Sequence, residues 1–409
     1  MPYAIRFSLC FVALLSLRTL ALAQAVERSA PSPGPLVHAD GRVTFRLPAP
    51  RAALVQLWSP VIANALDLRV DGKTPHRLPM RPGDDGVWTL TIGPLPPDRY
   101  PYAFDVDGVR TLDWQNPDLV TGQRWPQSFI DVRGEATRYF EPQDVPHGTV
   151  SIVPYFSRPL GVGREVSIYT PPGYETSPET EYPVLYLLHG SSGNHRTWVD
   201  DGRANYIFDN LIASGSCVPM IVVMPAGHVP PEARIPPAAP PGGAFGLDLL
   251  EEVIPLVETR FRIRKDRRHR ALAGLSMGAM QAYQIGFRRL DLFSHVAMMS
   301  GGPGWGPNVT PDSRPFHSFA AMFPELASAP DELNRQLDLL WIGTGMQDDP
   351  ERVRRICAEW ETLGIRHVCH LSPYDHSFRT WRVDLARHIA PGLFREEVRA
   401  SAGRQTTAP

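Results

Sequence analysis

The sequence predicts an α/β domain with a mainly parallel sheet, preceded by a small all-β sandwich. Between residues 42 and 133, short runs of alternating apolar and polar residues are divided by turn signals such as Asp107-Gly108, which is typical of antiparallel strands. From His147 onward, continuous apolar runs alternate with helical patterns, which indicates parallel strands that are buried on both faces and joined by helices.

The size and composition fit a globular protein of two domains. The chain has 409 residues, of which 43% are hydrophobic and 21% are charged. Its formal net charge of −2 argues against binding to nucleic acid or to an anionic membrane surface. The 43 prolines, about twice the average share, predict long and stiff connections.

The first 25 residues have the pattern of a secretory signal peptide. Arg6 precedes the short apolar run Phe7–Leu17, and small residues at Ala21-Leu22-Ala23 or Ala23-Gln24-Ala25 offer a cleavage site. An uncleaved anchor is the alternative. No later stretch has the roughly 18 apolar residues that a membrane span needs. The protein is therefore expected to be secreted or periplasmic, with a flexible, Pro-rich lead-in over residues 26–40.

Residues 41–134 form the predicted sandwich, in which no helix is expected, and residues 135–146 form a linker. The aromatic residues on strand faces are assigned to the core, namely Trp88, Tyr100, Tyr102 and Phe104. Three tryptophans near turns are the better candidates for exposed stacking, although packing is the first expectation for them too: Trp58, Trp114 and Trp125.

Strands and helices alternate from residue 147. The predicted strands are a hairpin pair, Thr149–Tyr155 and Arg164–Tyr169, then Tyr182–Leu188, Met220–Met224, a run into Ser276, Val296–Met299, Leu339–Ile342 and Arg366–Leu371. The predicted helices are Asn205–Ser214, Leu247–Phe261, Met280–Arg289, Glu351–Leu363 and Ser377–Ile389. This order predicts the α/β-hydrolase fold over residues 147–395, followed by a C-terminal tail over residues 396–409.

The sequence Gly274-x-Ser276-x-Gly278 has the spacing of a nucleophile elbow. A serine at a strand-to-helix turn sits in a crowded backbone, and small residues two positions before and after it relieve that crowding. The turn exposes the serine oxygen and leaves the Met277 N–H at a helix N-terminus, where it can stabilise an oxyanion. A chance match in a Gly-rich loop is the alternative, and the strand before and helix after argue against it.

A serine nucleophile needs a base, and the base needs an orienting carboxylate. Of the histidines after Ser276, His376 is favoured because it follows the last predicted strand, where catalytic groups collect. The acid should follow the strand Leu339–Ile342, and Asp348 is favoured over its neighbour Asp349. Asp375, beside the histidine, is expected to be a surface residue or a cap.

The Gly-rich stretch His189–Asn194 follows a buried strand and offers a second oxyanion donor. We assign the N–H of Ser191 to this role, together with that of Met277. An ordinary turn is the alternative for this loop.

Three cysteines follow the predicted signal, and an odd number implies a free thiol or an intermolecular bond. Cys357 and Cys369 could pair if the helix and strand that carry them pack together, which would leave Cys217 free. No Cys/His spacing is typical of a zinc site, and neither a metal nor an organic cofactor is expected.

Several motifs together resemble carbohydrate esterase family 1, above all its feruloyl esterase and acetylxylan esterase modules. They are Tyr186–Gly190, Trp198, Gly202–Ile212, Pro219–Pro225 and Gly274–Gly278. The resemblance covers residues 147–393, and Asp85–Trp88, Gly93–Tyr100 and Val106–Val109 resemble the early-set immunoglobulin-like modules that precede glycan-active enzymes. One departure is Gly278-Ala279, where the family usually has Gly-Gly.

The resemblance implies Ser276 as nucleophile, His376 as base and Asp348 as the third member of a triad. The expected activity is that of a secreted serine carboxylesterase that removes feruloyl or acetyl groups from plant xylan, so its partner would be an ester-substituted polysaccharide or oligosaccharide. An enterochelin-type or small-molecule esterase is the alternative. From another class, a non-catalytic glycan-binding protein on the same scaffold remains open, as do acyl transfer to an alcohol and the oligomeric state.

Overall fold

The computed structural model describes residues 34–70, 72–120, 126–235, 242–302 and 318–394. The predicted signal peptide, the tail 396–409 and Trp125 lie outside these ranges. Across them, no helix has the length and apolar character needed to cross a membrane.

The described residues of the N-terminal region form two antiparallel sheets. Its strands are β1 (Leu36–Val37), β2 (Val43–Pro48), β3 (Val55–Trp58), β4 (Arg77–Pro79), β5 (Arg81–Pro82), β6 (Val87–Ile92), β7 (Asp98–Val106), β8 (Val109–Thr111), β9 (Leu119–Val120) and β10 (Gln127–Val132). One sheet has the order β1-β2-β6-β5, and the other has the order β4-β3-β7-β10-β9 with β8 beside β7. The four aromatic residues assigned to the core are all buried, and they pack between the sheets with residues such as Phe45 and Leu57.

Three features of this region differ from the expectation. Strand β1 pairs with β2, so the sheet begins inside the segment expected as a flexible lead-in. A short helix, α1 (Pro60–Ala65), interrupts the all-β pattern, and the hydroxyl of Ser59 caps it by accepting a hydrogen bond from the Ile62 N–H at 3.1 Å. The expected linker contains a 3₁₀ helix, Glu135–Phe140, whose Phe140 is buried in the core of the following region.

The second region contains a single eight-stranded sheet in the described residues. Its strands are β11 (Thr149–Ser157), β12 (Val162–Thr170), β13 (Val184–Leu188), β14 (Ile221–Pro225), β15 (Arg270–Leu275), β16 (His295–Met299), β17 (Leu339–Gly345) and β18 (Val368–Ser372). Their order is β11-β12-β14-β13-β15-β16-β17-β18, and all pairs from β14 to β18 are parallel. The predicted α/β-hydrolase architecture behind an all-β region is confirmed.

Helices cover both faces of this sheet. They are α2 (Thr197–Asp200), α3 (Ala204–Ala213), α4 (Gly243–Asp248), α5 (Ile254–Arg260), α6 (Met277–Arg288), α7 (Phe319–Met322), α8 (Pro324–Ala327), α9 (Pro330–Gln336), α10 (Pro350–Thr362) and α11 (Phe378–Val383). Side chains of β13 alternate between the two faces: Leu185 packs with Trp198 on one side and Tyr186 packs with Phe245 on the other. A strand buried on both faces explains the continuous apolar run in its sequence.

The pairing of Cys357 with Cys369 is present as a disulfide that joins α10 to β18, and Cys217 is a buried free thiol. Because these strands are parallel, the ends of β13, β15, β17 and β18 meet at one edge of the sheet. The loops that carry the predicted site residues follow those four strand ends.

Candidate active site

Ser276 lies at the turn from β15 into α6 in a strained conformation. Its φ of 51° and ψ of −114° are rare for a residue that has a side chain. A Cβ atom at Gly278 would lie 2.6 Å from the His189 carbonyl oxygen, and one at Gly274 would overlap the Gly278 carbonyl. The glycines at both positions therefore allow the close approach that holds the serine at the tip of the turn.

His376 lies on the loop after β18, and Asp348 lies on the loop after β17. The His376 ring lies between Ser276 and Asp348 and contacts both. The His376 Nε2 atom is 3.1 Å from Ser276 Oγ, and its Nδ1 atom is 2.8 Å from Asp348 Oδ2. The indole of Trp381 packs edge-on against the imidazole at 5.0 Å between ring centroids. The structure thus brings together the three residues that the sequence singled out.

Asp349, the rival of Asp348, has a different role in the structure. Its carboxylate caps α10 by accepting the Arg352 N–H at 3.2 Å, and it also pairs with the Arg352 guanidinium at 3.0 Å. A carboxylate engaged as a helix cap is not available to orient His376. The geometry therefore favours Asp348 for that role.

Two hydroxyl groups that sequence reasoning missed support Asp348. Thr344 Oγ1 donates to Asp348 Oδ2 at 2.9 Å, and Ser300 Oγ lies 3.3 Å from Thr344 Oγ1. Burial alone would raise the pKa of Asp348, but the hydrogen bond and charge of His376, with help from both hydroxyls, hold the pKa below its usual value. Asp348 is therefore a carboxylate at neutral pH.

The two expected oxyanion donors lie beside Ser276. Met277 is the first residue of α6, where backbone N–H groups have no acceptor within the helix. Ser191 lines the same cavity as Ser276 and His376. The carbonyl of Ser191 is also held, because it lies 2.6 Å from His228 Nε2.

His189 helps to fix the peptide that contains the Ser191 N–H, a role that the sequence did not reveal; the Gly193 N–H donates to the same Gly190 carbonyl at 3.1 Å. Because the Gly227 N–H donates to His189 Nε2 at 2.7 Å, the ring proton must sit on Nδ1, which donates to the Gly190 carbonyl at 2.7 Å. The C=O and N–H of a trans peptide point in opposite directions, so this bond directs the Ser191 N–H away from His189. Burial lowers the pKa of His189 to about 4, which keeps the ring neutral.

A cavity of about 260 Å³ opens onto the serine, and both regions of the chain line it. The second region contributes Phe378 and Trp381 beside His376, and the N-terminal region contributes Trp58, Val61 and Phe129. The guanidinium of Arg110 covers the Trp58 ring at 3.8 Å, so this tryptophan is not free for stacking on both faces. Among the described tryptophans proposed for stacking, Trp114 is exposed, with 71% of its surface accessible.

Asp375 was expected to be a surface residue or a cap, but it is buried, and the residue that caps α11 is Ser377. The two carboxylate oxygens of Asp375 accept hydrogen bonds from Asn64 Nδ2 at 2.9 Å and from the Ser377 hydroxyl. Asn64 belongs to α1, 311 residues earlier in the chain. No local pattern in the sequence could have indicated this partner.

Within the described ranges, no group of three or more His, Cys, Asp or Glu side chains is placed to hold a metal ion. The arrangement around Ser276 suits acyl transfer: a serine oxygen, a histidine that can take its proton, a carboxylate that orients the histidine, and backbone N–H groups near the serine. On an eight-stranded, mainly parallel sheet, this set of groups is that of an α/β-hydrolase esterase.

A comparison with known protein families also indicates an esterase. Residues 157–390 match the Esterase family model, described as "Putative esterase", and this match covers more than half of the chain. The chain therefore belongs to this esterase family.

Individual relatives include feruloyl esterases and an enterobactin esterase. The chain is 29% identical to an endo-1,4-beta-xylanase/feruloyl esterase of Xylanibacter ruminicola over 88% of its own length, but it spans only 46% of that relative. A solved ferulic acid esterase is 25% identical, with a TM-score of 0.50 over 61% of this chain and 98% of that chain. The enterobactin esterase of Shigella flexneri, at 17% identity, shares the fold with a TM-score of 0.61 over 87% of this chain and 93% of that chain.

Proposed function

We propose that Ser276, His376 and Asp348 form the catalytic triad of this esterase. His376 Nε2 takes the proton of Ser276 Oγ as the oxygen attacks the ester carbonyl, and the carbonyl oxygen becomes an oxyanion. His376 then gives this proton to the leaving alcohol, and the acyl group remains on Ser276. Water, deprotonated by the same nitrogen, releases the acid and restores the serine. The observation that carries this proposal is the pair of hydrogen bonds at His376, whose Nε2 accepts from the Ser276 hydroxyl and whose Nδ1 donates to Asp348.

The N–H groups of Ser191 and Met277 would hold the oxyanion. The Met277 N–H lies in the first turn of α6, where the helix dipole favours negative charge. His189 and the Gly193 N–H hold the peptide of Ser191 in place before substrate arrives, so no reorganisation is needed when charge develops. A donor of this kind is worth about 10²- to 10³-fold in kcat.

The acyl group that we propose is feruloyl, carried on plant xylan. The cavity beside Ser276 is walled by aromatic side chains, including Phe129, Phe378 and Trp381. Its volume of about 260 Å³ lies just below the usual range of small-molecule pockets, which is about 300–1,000 Å³. An aromatic acyl group would cover these walls, whereas an acetyl group would leave most of them in contact with water. The relatives from Xylanibacter ruminicola and the solved ferulic acid esterase support the same choice.

We further propose that the protein is exported, because residues 1–25 have the charge and apolar pattern of a signal peptide. The division into a sandwich over residues 41–134 and an esterase domain over residues 147–395 is part of the same proposal. The polysaccharide would then be met outside the cytoplasm, where xylan is found.

The test is release of ferulate from methyl ferulate and of acetate from acetylated xylan, by the wild type and by Ser276→Ala. We expect ferulate release that the variant loses by at least about 10³-fold, since little remains when a triad serine is removed. Acetate release alone would keep the mechanism and change the acyl group. Turnover of a catecholate siderophore ester, with no release of ferulate or acetate, would favour the small-molecule alternative. Ferulate release that Ser276→Ala leaves unchanged would refute the assigned nucleophile.

A further inference from the structure

The N-terminal region contacts the loop that carries His376 and the helix that follows it, α11. Helix α1 lies beside the cavity through Pro60 and Val61, and the start of β7 lies against α11, the helix that follows His376. We propose that Asn64 and Asp98 of the N-terminal region are positioning residues for His376, an inference that rests on the proposed function. The sandwich would then be part of the catalytic machinery of the esterase.

The first contact fixes the residue next to the histidine. Asn64 Nδ2 donates to Asp375 Oδ2 at 2.9 Å, while the other oxygen of Asp375 accepts from the Ser377 hydroxyl. Asp375 is only 6% exposed, so a lost partner would leave a buried carboxylate oxygen without its hydrogen bond. The backbone of the residues on both sides of His376 is therefore tied to α1.

The second contact fixes the helix that follows. Asp98 accepts from Arg379 Nε at 3.1 Å through one oxygen and from an Arg382 guanidinium nitrogen at 2.5 Å through the other. Both arginine side chains are at least nine-tenths buried, and Asp98 is 12% exposed. Removing the charge of Asp98 would leave two buried cations without this partner, so the contact strongly favours one position of α11.

The opposite side of the loop is held by the segment that carries Asp348. The N–H groups of Met346 and Gln347 donate to the carbonyls of Ser372 and Tyr374, at 2.7 and 3.0 Å. The His376 loop is thus clamped between the acid loop on one side and the N-terminal region on the other. A displacement of about 1 Å at a reacting group can cost about 10²-fold in rate. Loss of the contacts from Asn64 and Asp98 on the N-terminal side should therefore lower the catalytic rate.

The test compares Asn64→Ala and Asp98→Asn with Asp98→Glu, which keeps the charge, and with Asp40→Asn as a matched control. Asp40 pairs with the exposed Arg42 in the same region, at the surface, so its variant should behave as the wild type. We expect kcat for methyl ferulate to fall about tenfold or more in the first two variants, with KM changed by less than about threefold, and to recover in part with Asp98→Glu. The rate at which a fluorophosphonate labels Ser276 should fall in parallel.

Hydrogen exchange gives a readout that needs no activity. The amides of residues 373–380 should exchange faster in Asn64→Ala and Asp98→Asn than in the wild type or Asp40→Asn. A purely structural contact would lower Tm but leave kcat per labelled serine and this exchange unchanged, and that result would overturn the proposal. If Ser276→Ala keeps full activity, the proposed function fails, and the exchange of residues 373–380 alone decides whether the clamp exists.

Discussion

Replacing Asp348 with Asn keeps the size of the side chain and removes its charge. In the structure a single oxygen, Oδ2, accepts from His376 Nδ1 at 2.8 Å and from Thr344 Oγ1 at 2.9 Å. An amide nitrogen in that position would donate to Nδ1 and force the ring proton onto Nε2, which then cannot accept the proton of Ser276. An amide oxygen there would keep the tautomer but offer no charge to the imidazolium that forms during attack.

Either orientation should lower kcat by about 10³- to 10⁴-fold, which corresponds to about 4–5.5 kcal/mol of activation free energy. KM should change little, because Asp348 does not line the cavity beside Ser276. The measurement is the initial rate of methyl ferulate hydrolysis per active site, with the sites counted by fluorophosphonate labelling. Residual activity is expected to come from the oxyanion donors and from substrate binding.

Asp349→Asn is the matched control, one residue away in sequence. Asparagine also caps helices well, so this variant should leave kcat unchanged and should cost no more than about 1 kcal/mol of stability. A loss of kcat in Asp349→Asn as large as that in Asp348→Asn would refute the assignment. So would an Asp348→Asn enzyme within tenfold of the wild type.

Three further predictions concern the surroundings of the site. His189→Ala should loosen the peptide before Ser191, whose Gly190 carbonyl would keep only the Gly193 N–H as donor, and should lower kcat by about tenfold or more. A matching loss of affinity is expected for an arylboronic acid and none for ferulate, so equal losses for both ligands would contradict the prediction. Replacing Cys357 and Cys369 together by Ser should lower the free energy of unfolding by about 2–4 kcal/mol in urea titrations while kcat stays constant, because the bond closes a short loop away from the serine. Burial raises the pKa of Asp384 from 3.8 to about 7, so the fold keeps a proton that the unfolded chain releases, and stability falls as pH rises between these values. Asp384→Asn should therefore raise Tm at pH 8 by about 2 °C or more and have less effect at pH 5, whereas an equal shift at both values would show that the charge is not the cause.

The fold could be predicted because its signals are local. Buried parallel strands such as Val184–Leu188 are apolar at every position, and the all-β region shows alternation with turn residues between the strands. The nucleophile elbow could also be predicted, because steric crowding requires small residues at Gly274 and Gly278 and excludes most other residue types. His376 followed from the rule that catalytic groups collect at the carboxyl ends of parallel strands.

The supports of these residues could not be predicted in the same way. Thr344 and Ser300 lie on neighbouring strand ends and meet only because β16 and β17 pair in a particular register. His189 stood in the expected oxyanion loop, but its role depends on the N–H of Gly227, which the fold brings from a later loop. Helix α1 is only six residues long, too short to show the apolar period by which helices are recognised in a sequence.

The contact between the two regions shows most clearly what sequence patterns omit. Asn64 and Asp375 are 311 residues apart, and Asp98 and Arg382 are 284 residues apart, so neither pair leaves a periodic signal. Read locally, Asp375 is a polar residue in a loop, and a surface position is the natural expectation. Its burial follows from the way α1 closes over the His376 loop, and the same closure places Trp58 and Val61 in the wall of the cavity. From its strands alone, the N-terminal region would be assigned to a separate binding module. It nevertheless lines the pocket, because the residues that form a site depend on which surfaces the fold brings together.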